Sequence, residues 1–392
     1  MAKLQKATLS AQQIKKLEKQ GIKLTSLADI IKLQGGPELG FLSLEYLLCS
    51  NVMLLSTIYQ IHGKEKSGKS TILMDWLGRY FIDVGGQAVL IDTENKVSTS
   101  LLQKVIGENA HELDLQRTTI QERAQSIMTE YLKSIRKDTF DKKKAVMLGM
   151  GLDSYNVTSE STSDNIDKTG HSQKQFSTEA NLWSSYLPTV VDKLTGAPIS
   201  LFVINHTREK QNAGSFTGPV EEARGGRALK YFQTYQFKVS GIGSVHDKSK
   251  EINNLCIKSD YNSYGPAGRK IYPRIIFKQD GQDENVILVD WEYADIQLLT
   301  GPDFPRAQAQ KLGICDVKES STKGLFNDKI LGLNNVPFSE IKAALYNDKE
   351  RLKQLRDLLG IVEYRTMDDL LDDNWFFNGG TCSKDDEDES DD

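Results

Sequence analysis

The chain has 392 residues, 39% hydrophobic and 26% charged, an ordinary globular balance that supports one large domain with one or two smaller ones. No apolar run reaches the roughly 18 residues of a membrane-spanning helix, and the N-terminal MAKLQKATLSAQQIKKLEKQ lacks the apolar core of a signal peptide. The four cysteines, Cys49, Cys256, Cys315 and Cys382, form no C-x-x-C pair, which argues against zinc and for a reducing, cytoplasmic compartment.

The net charge is −5, but the last eight residues, DDEDESDD, carry −7, so the rest of the chain carries +2. Such a tail cannot bury apolar surface and stays unfolded. It solubilises the chain, or it acts as a tethered polyanion that competes for a basic surface.

In chain order, SAQQIKKLEKQG reads as a short charged helix capped by Ser10, and FLSLEYLLCS as a second helical stretch. MLLSTIYQIHG is an apolar β-branched run ending at Gly63, and TILMDWLGRYFI is a helix. QAVLIDTE is a strand, and residues 98–135 read as helices joined by a turn. KKAVMLGMGLDS is a strand, EANLWSSYLPTVVDKL a helix and ISLFVINH a strand. Strands alternating with helices predict a parallel sheet with helices on both faces. From Ile204 to Tyr231 the sequence runs through about twenty polar and glycine-rich residues before resuming at ALKY. A loop of that length in a compact domain usually has a function. Beyond Tyr231, TYQFKVSGIG, NLCIKSD and RKIYPRIIFKQD read as antiparallel strands extending the sheet. Residues 300–376 are more helical and form a small further domain. The expected organisation is an N-terminal segment at 1–50, a core at 51–298, a small α+β domain at 299–380 and an acidic tail at 381–392.

GKEKSGKS, from Gly63 to Ser70, matches G-x-x-x-x-G-K-[ST] in full, after a strand and before a helix, the context the motif requires. Glycine lets the backbone N–H groups of Lys64, Glu65, Lys66, Ser67 and Gly68 converge on phosphate oxygens, and the helix N-terminus at Thr71 adds partial positive charge. Lys69 would reach the β- and γ-phosphates of ATP, and Ser70 would ligate Mg²⁺. Asp153 ends the apolar run AVMLGMGLDS, at the sheet edge where ligands of α/β proteins gather, and would hold the metal through water. Glu94, just past VLID, reads equally as a group orienting the attacking water and as an exposed helix cap.

IYQIHGKEKSGKS, VLIDTEN, LGLDS, FVINHTRE and GGRALKYF, in this order and spacing over roughly residues 55–280, resemble the successive motifs of the RecA family of strand-exchange recombinases. INHT, the chain length and the acidic tail look more like the UvsX recombinases of tailed phages, whereas GKEKSGKS and GGRALKY look more like bacterial RecA. The resemblance implies a phage-encoded, DNA-dependent ATPase working in a host-cell cytoplasm. It implies filaments on single-stranded DNA that exchange strands with double-stranded DNA, together with single-strand-binding and loader proteins. It makes Glu94 the catalytic base and His206 the polar residue that senses the γ-phosphate; alone, His206 reads as a histidine at a strand end. It makes 157–176 a first DNA-binding loop and Arg208–Gly226 a second. There Arg208, Lys210, Arg224 and Arg227 would meet phosphates, Gly225 and Gly226 would allow close approach, and Phe216 would stack on bases.

Filaments of the family sandwich ATP between neighbours, so the segment from about 10 to 50 is expected to pack on the adjacent subunit. IKSDYN offers Lys258 where the family has a lysine reaching across to the neighbour's phosphates, but Asp260 where it has a second. Arg269 and Lys270 are nearby cations. TENKVSTSL offers no aromatic at the family's adenine-stacking position. Two rival readings share these motifs: a ring-shaped motor or helicase of the same fold, and a scaffold that binds nucleotide without turning it over.

Overall fold

The computed structural model describes residues 34–140, 146–155, 175–210, 220–223, 228–247, 250–278, 286–320 and 324–372. The described chain opens with a two-residue strand β1 (Gly35–Gly36) and a short helix α1 (Leu42–Leu48). It then enters β2 (Thr57–Gly63), all seven residues of which are buried, as an apolar strand covered on both faces must be. The phosphate-loop helix α2 (Lys69–Leu77) continues as one wider turn at Gly78–Ile82. β3 (Gln87–Asp92) and α3 (Thr99–Ile106) follow, the helix capped by Ser98 Oγ accepting from the Leu101 amide.

The region expected to hold only helices then contains a strand, β4 (Leu113–Arg117), before α4 (Gln121–Phe140). Its sequence LDLQR is short and half polar, and only the sheet edge, where it pairs with β3, makes it a strand. β5 (Leu148–Asp153), α5 (Gln175–Leu194) and β6 (Ile199–Lys210) complete the alternating part. β6 runs six residues past Ile204 into the supposed loop and pairs antiparallel with β7 (Val220–Ala223), Arg208 opposite Glu222 and Lys210 opposite Val220. The loop is therefore partly a β-ribbon, which alternating polar residues permit once a partner strand is present.

After a short helix α6 (Ala228–Phe232), a long hairpin, β8 (Tyr235–Asp247) and β9 (Lys250–Asn262), carries β10 (Lys270–Ile271) and β11 (Arg274–Lys278). β12 (Val286–Asp290) then ends the sheet. Eleven strands form it, in the order β12-β11-β9-β8-β2-β6-β5-β3-β4, with β10 on β9 and β7 on β6. The stretch from β8 through β2 to β4 is parallel, and β8, β9, β11 and β12 are antiparallel. This is an α/β architecture with a mostly parallel sheet flanked by helices and extended by antiparallel strands, as expected from the sequence.

Alternate residues divide between two cores. Tyr59, Ile61, Phe202, Phe237 and Ile257 face Ile72, Leu73 and Trp76 of α2. Ile58, Val89, Met150 and Leu201 face Met128 and Leu132 of α4 and Trp183 and Leu187 of α5. Tyr59 stacks between Phe202 and Tyr235, each 4.9 Å away, and Trp76 meets Phe202, Phe237 and Trp291 at 5.9–6.3 Å.

α7 (Trp291–Thr300), α8 (Arg306–Lys311), a three-stranded sheet of β13 (Val317–Glu319), β14 (Phe326–Asp328) and β15 (Leu333–Val336), then α9 (Phe338–Asn347) and α10 (Lys349–Leu359) build a third core. β16 (Arg365–Thr366) pairs back on β1 and is followed by α11 (Met367–Asp372).

Residues 34–50, the described part of the segment expected to pack on a neighbour, pack on their own chain. Leu44, Leu47 and Leu48 enter the sheet core and Leu42 enters the third one. Glu45, fully buried, pairs with Arg356 of α10 through contacts of 2.8 and 2.9 Å. Arg269 donates to the carbonyls of Tyr46, Leu359 and Gly360 and lies over the Tyr46 ring, so it ties three parts of the chain together and is not a cation available to a neighbour. The expected helix at 10–20 and the acidic tail lie outside the described residues. Among the described residues no helix is long and apolar enough to cross a membrane.

Candidate active site

The carboxyl ends of β2, β3, β5 and β6 meet at one edge. β2 delivers Gly63, where a Cβ would lie 2.2 Å from the Val239 carbonyl oxygen, so only glycine lets the loop leave there. The loop turns through Gly68 at φ 91°, and α2 starts at Lys69 with no side chain capping its first turn. An uncapped helix N-terminus leaves first-turn amides available to an anion. Ser67 holds a buried hydroxyl without a hydrogen-bond partner among the described residues. Lys69 is buried and donates to the carbonyls of Gly63 (3.1 Å) and Lys64 (2.6 Å). Burial pushes its pKa down, against the upward pull of Asp153, Glu94 and Glu65. Lys64, Glu65 and Lys66 are exposed at the rim, and Thr71 is half-buried. These features fit a polyphosphate.

Ser70 Oγ donates to Asp153 Oδ2 at 2.6 Å, joining the two residues expected at the metal. Burial raises the pKa of Asp153, and the charges of Glu94 and Asp92 add to the rise against the Ser70 hydrogen bond and Lys69. A cation placed there would relieve this crowding of carboxylates. Among the described residues no cluster of three or more His, Cys, Asp or Glu could hold a metal by itself.

Besides His206, Glu94 is placed by residues that the sequence did not single out. Asp92, at the end of β3, accepts from the amides of Glu94 (3.1 Å) and Val97 (2.8 Å) and so shapes the turn. Thr93 exchanges hydrogen bonds with the Ser154 backbone, locking the turn to β5. Glu94 Oε1 then accepts from Ser154 Oγ (3.0 Å) and lies 2.6 Å from His206 Nε2, and Oε2 accepts from Lys96 Nζ (2.5 Å). Burial pushes its pKa up, but the Lys96, His206 and Ser154 hydrogen bonds outweigh this and bring it down to about 2. A carboxylate that acidic is a poor proton acceptor and a good fixed acceptor for orienting water.

His206 stands beside Gly63 in the β2–β6 register. One residue thus touches the first glycine of the phosphate loop, the Glu94 carboxylate and the strand that runs on to Arg208 and Lys210. Phe216, Arg224, Gly225, Gly226 and Arg227, and nearly all of 157–176, lie outside the described residues. Lys258, on β9, donates to Asp260 Oδ1 (2.8 Å), and Asp260 Oδ2 lies 3.0 Å from His62 Nε2.

A cavity of about 410 Å³ extends from Lys66, Ser67 and Lys69 across the antiparallel strands to Asn253, Asn254 and Phe277. It offers an aromatic ring and two amides far in sequence from TENKVSTSL. No local motif could have revealed them, since the hairpin register alone brings them to the phosphate loop.

The model of the RecA N-terminal domain family matches residues 12–280, more than half of the chain. Among its relatives are the RecA protein of Mycoplasma mobile, 26% identical over 244 residues, which covers 61% of this chain and 68% of the relative. The mitochondrial DNA repair protein recA homolog 3 of Arabidopsis thaliana is 26% identical over 54% of this chain and 46% of the relative. The Bacillus subtilis RecA protein is 27% identical over 59% and 62%. The matches thus span about half to two thirds of these relatives. The phosphate loop, the Glu94 turn and the strand order lie within the matched region, and the chain belongs to the RecA family.

Proposed function

We propose that this protein is an ATP-hydrolysing recombinase that assembles as a helical filament on single-stranded DNA and exchanges strands with homologous double-stranded DNA. The observation that carries the reading is the contact of His206 with Glu94, beside Gly63, on the strand that continues into the β6–β7 ribbon. It supplies a short mechanical path from a γ-phosphate to a DNA-facing loop. In this reading Lys69 and the loop amides hold the phosphates of ATP, and Ser70 with Asp153 holds Mg²⁺. The base lies in the cavity against Phe277, Asn253 and Asn254. ATP supplies the phosphoanhydride whose cleavage resets the filament. Glu94, ionised and pinned on one oxygen by Ser154 and His206, turns the oxygen shared with exposed Lys96 towards the attacking water; an exposed ion pair of this kind is weak. Arg208, Lys210, Phe216, Arg224, Gly225, Gly226 and Arg227 contact DNA, and Lys258 reaches a neighbouring subunit's phosphates.

Steady-state ATP hydrolysis with Mg²⁺, with and without single-stranded DNA, tests this, with Lys69→Ala as the blank. Strong stimulation by single strands, abolished in the blank, is the expected result. Hydrolysis indifferent to DNA would mean that the fold is present without this function.

A further inference from the structure

The seam between the sheet and the third core carries charge on both sides and little water. Glu45 of α1 and Asp295 of α7, 0% and 1% exposed, supply two carboxyl groups. Lys342 of α9 and Arg356 of α10 supply two largely buried cations. A buried ion pair is favourable only where its geometry offsets the loss of hydration. For Glu45 it does: Arg356 donates to both carboxylate oxygens, at 2.8 and 2.9 Å, and Tyr346 Oη donates to Oε1 at 3.3 Å.

For Asp295 it does not. Oδ1 accepts from the Ser43 amide at 2.7 Å, but Oδ2 is buried with no hydrogen-bond partner among the described residues. Lys342 Nζ stops 3.8 Å from Oδ2, beyond hydrogen-bond reach, and sits 3.9 Å from the centre of the Phe41 ring instead. The Ser43 hydroxyl beside the carboxyl is a second buried group left without a hydrogen bond. A carboxylate has no proton to donate, whereas a carboxylic acid has one. Burial pushes Asp295 up to about 6, against the downward pull of Lys342 and Ser43. Its negative charge in turn adds to the rise of Glu45 on α1, Tyr346 on α9 and Tyr80 in the turn after α2. The ionised form of Asp295 is therefore the one that fits the seam badly. One turn earlier on α7, Trp291 Nε1 donates to Asp75 of α2 at 2.8 Å, so the helix that carries Asp295 also touches the phosphate-loop helix.

We propose that Asp295 is a proton-operated latch: uncharged, it fixes α9 and α10 against α1 and α7, and ionised, it lets that pair of helices part from them. An acid whose folded-state pKa lies above its ordinary 3.8 takes up its proton first in the closed form. Closing therefore strengthens as pH falls through 6 towards 3.8. Against an open form with an ordinary carboxyl, the closing equilibrium gains about tenfold between pH 8 and pH 5.

Hydrogen–deuterium exchange of the full-length chain at pH 8 and pH 5, corrected for the intrinsic pH dependence of amide exchange, tests this. Amides of α9 and α10 are expected to gain about tenfold in protection at pH 5, with those of β2 and β5 unchanged. Asp295→Asn should hold α9 and α10 at the wild-type pH 5 level at both values. Lys342→Gln removes a cation that favours the carboxylate and should move the midpoint of the transition to higher pH. An equal gain in β2 and β5 overturns the latch, because the proton would then act on global stability alone. So does an unchanged pH response in Asp295→Asn, which would assign it to Glu45, and so does an unmoved midpoint in Lys342→Gln. Protection that falls at pH 5 in the wild type also overturns it, since the ionised pair with Lys342 would then hold the seam.

Discussion

The two halves of the sheet solve different problems. The parallel half, β2 to β6, is covered on both faces and carries its chemistry only at its carboxyl edge. There, hydrogen bonds with Asp92, Thr93, Ser154 and His206 fix the Glu94 turn. The antiparallel half, β8 to β12, leaves one face open and lines up lysines across it. Burial on both sides favours a rigid site built from short carboxylate contacts. Burial on one side leaves a charged surface, on which Lys258 pairs with Asp260.

The largest effect should come from cutting the seam between the halves. Trp76 touches Phe202 of the parallel half and Phe237 of the antiparallel half, and it stacks on Trp291. Trp76→Ala should cost about 3–5 kcal/mol in a denaturant titration. A loss below about 1 kcal/mol would mean that the halves pack independently.

Within the parallel half, Glu94→Gln should lower DNA-stimulated hydrolysis by about a hundredfold or more while nucleotide binding persists, leaving ATP-bound protein on DNA. Normal turnover would rule out its role in orienting water.

Acid should weaken both halves. Glu94 and Asp260 each have a folded-state pKa of about 2, below their ordinary values of 4.5 and 3.8. The stability they contribute is therefore present above those ordinary values and lost as pH falls towards 2. In melting curves from pH 5 to pH 2, Glu94→Gln and Asp260→Asn should each flatten the decline. A slope unchanged in both variants would show that neither carboxylate carries this linkage.

The smallest effect is expected at Lys96, whose side chain is 73% exposed. Lys96→Ala should change hydrolysis by no more than about threefold, since exposed pairs contribute little. A change near that of Glu94→Gln would instead make Lys96 part of the chemistry.

The phosphate loop was legible because its chemistry is local: Gly63, Gly68, Lys69 and Ser70 must be close in sequence to share one loop. Glu94 and Asp153 were legible as polar residues ending apolar runs. β4 was not, because LDLQR becomes a strand only through its pairing with β3, and the strand beyond Ile204 was hidden for the same reason. Asp92 carries no motif, and only its two backbone contacts show that it builds the Glu94 turn. Arg269, a candidate for the contact between subunits, proved to be an internal tie, which spacing alone could not reveal.

The sequence by itself determined the alternation of strands and helices, the phosphate loop and the order of the motifs, because hydrophobic period and loop chemistry act over a few residues. The tertiary structure alone decided which distant residues meet: His206 with Glu94, Phe277 with the phosphate loop, and Lys238 with Lys258. Those meetings depend on strand register, and register is set by packing across the whole sheet.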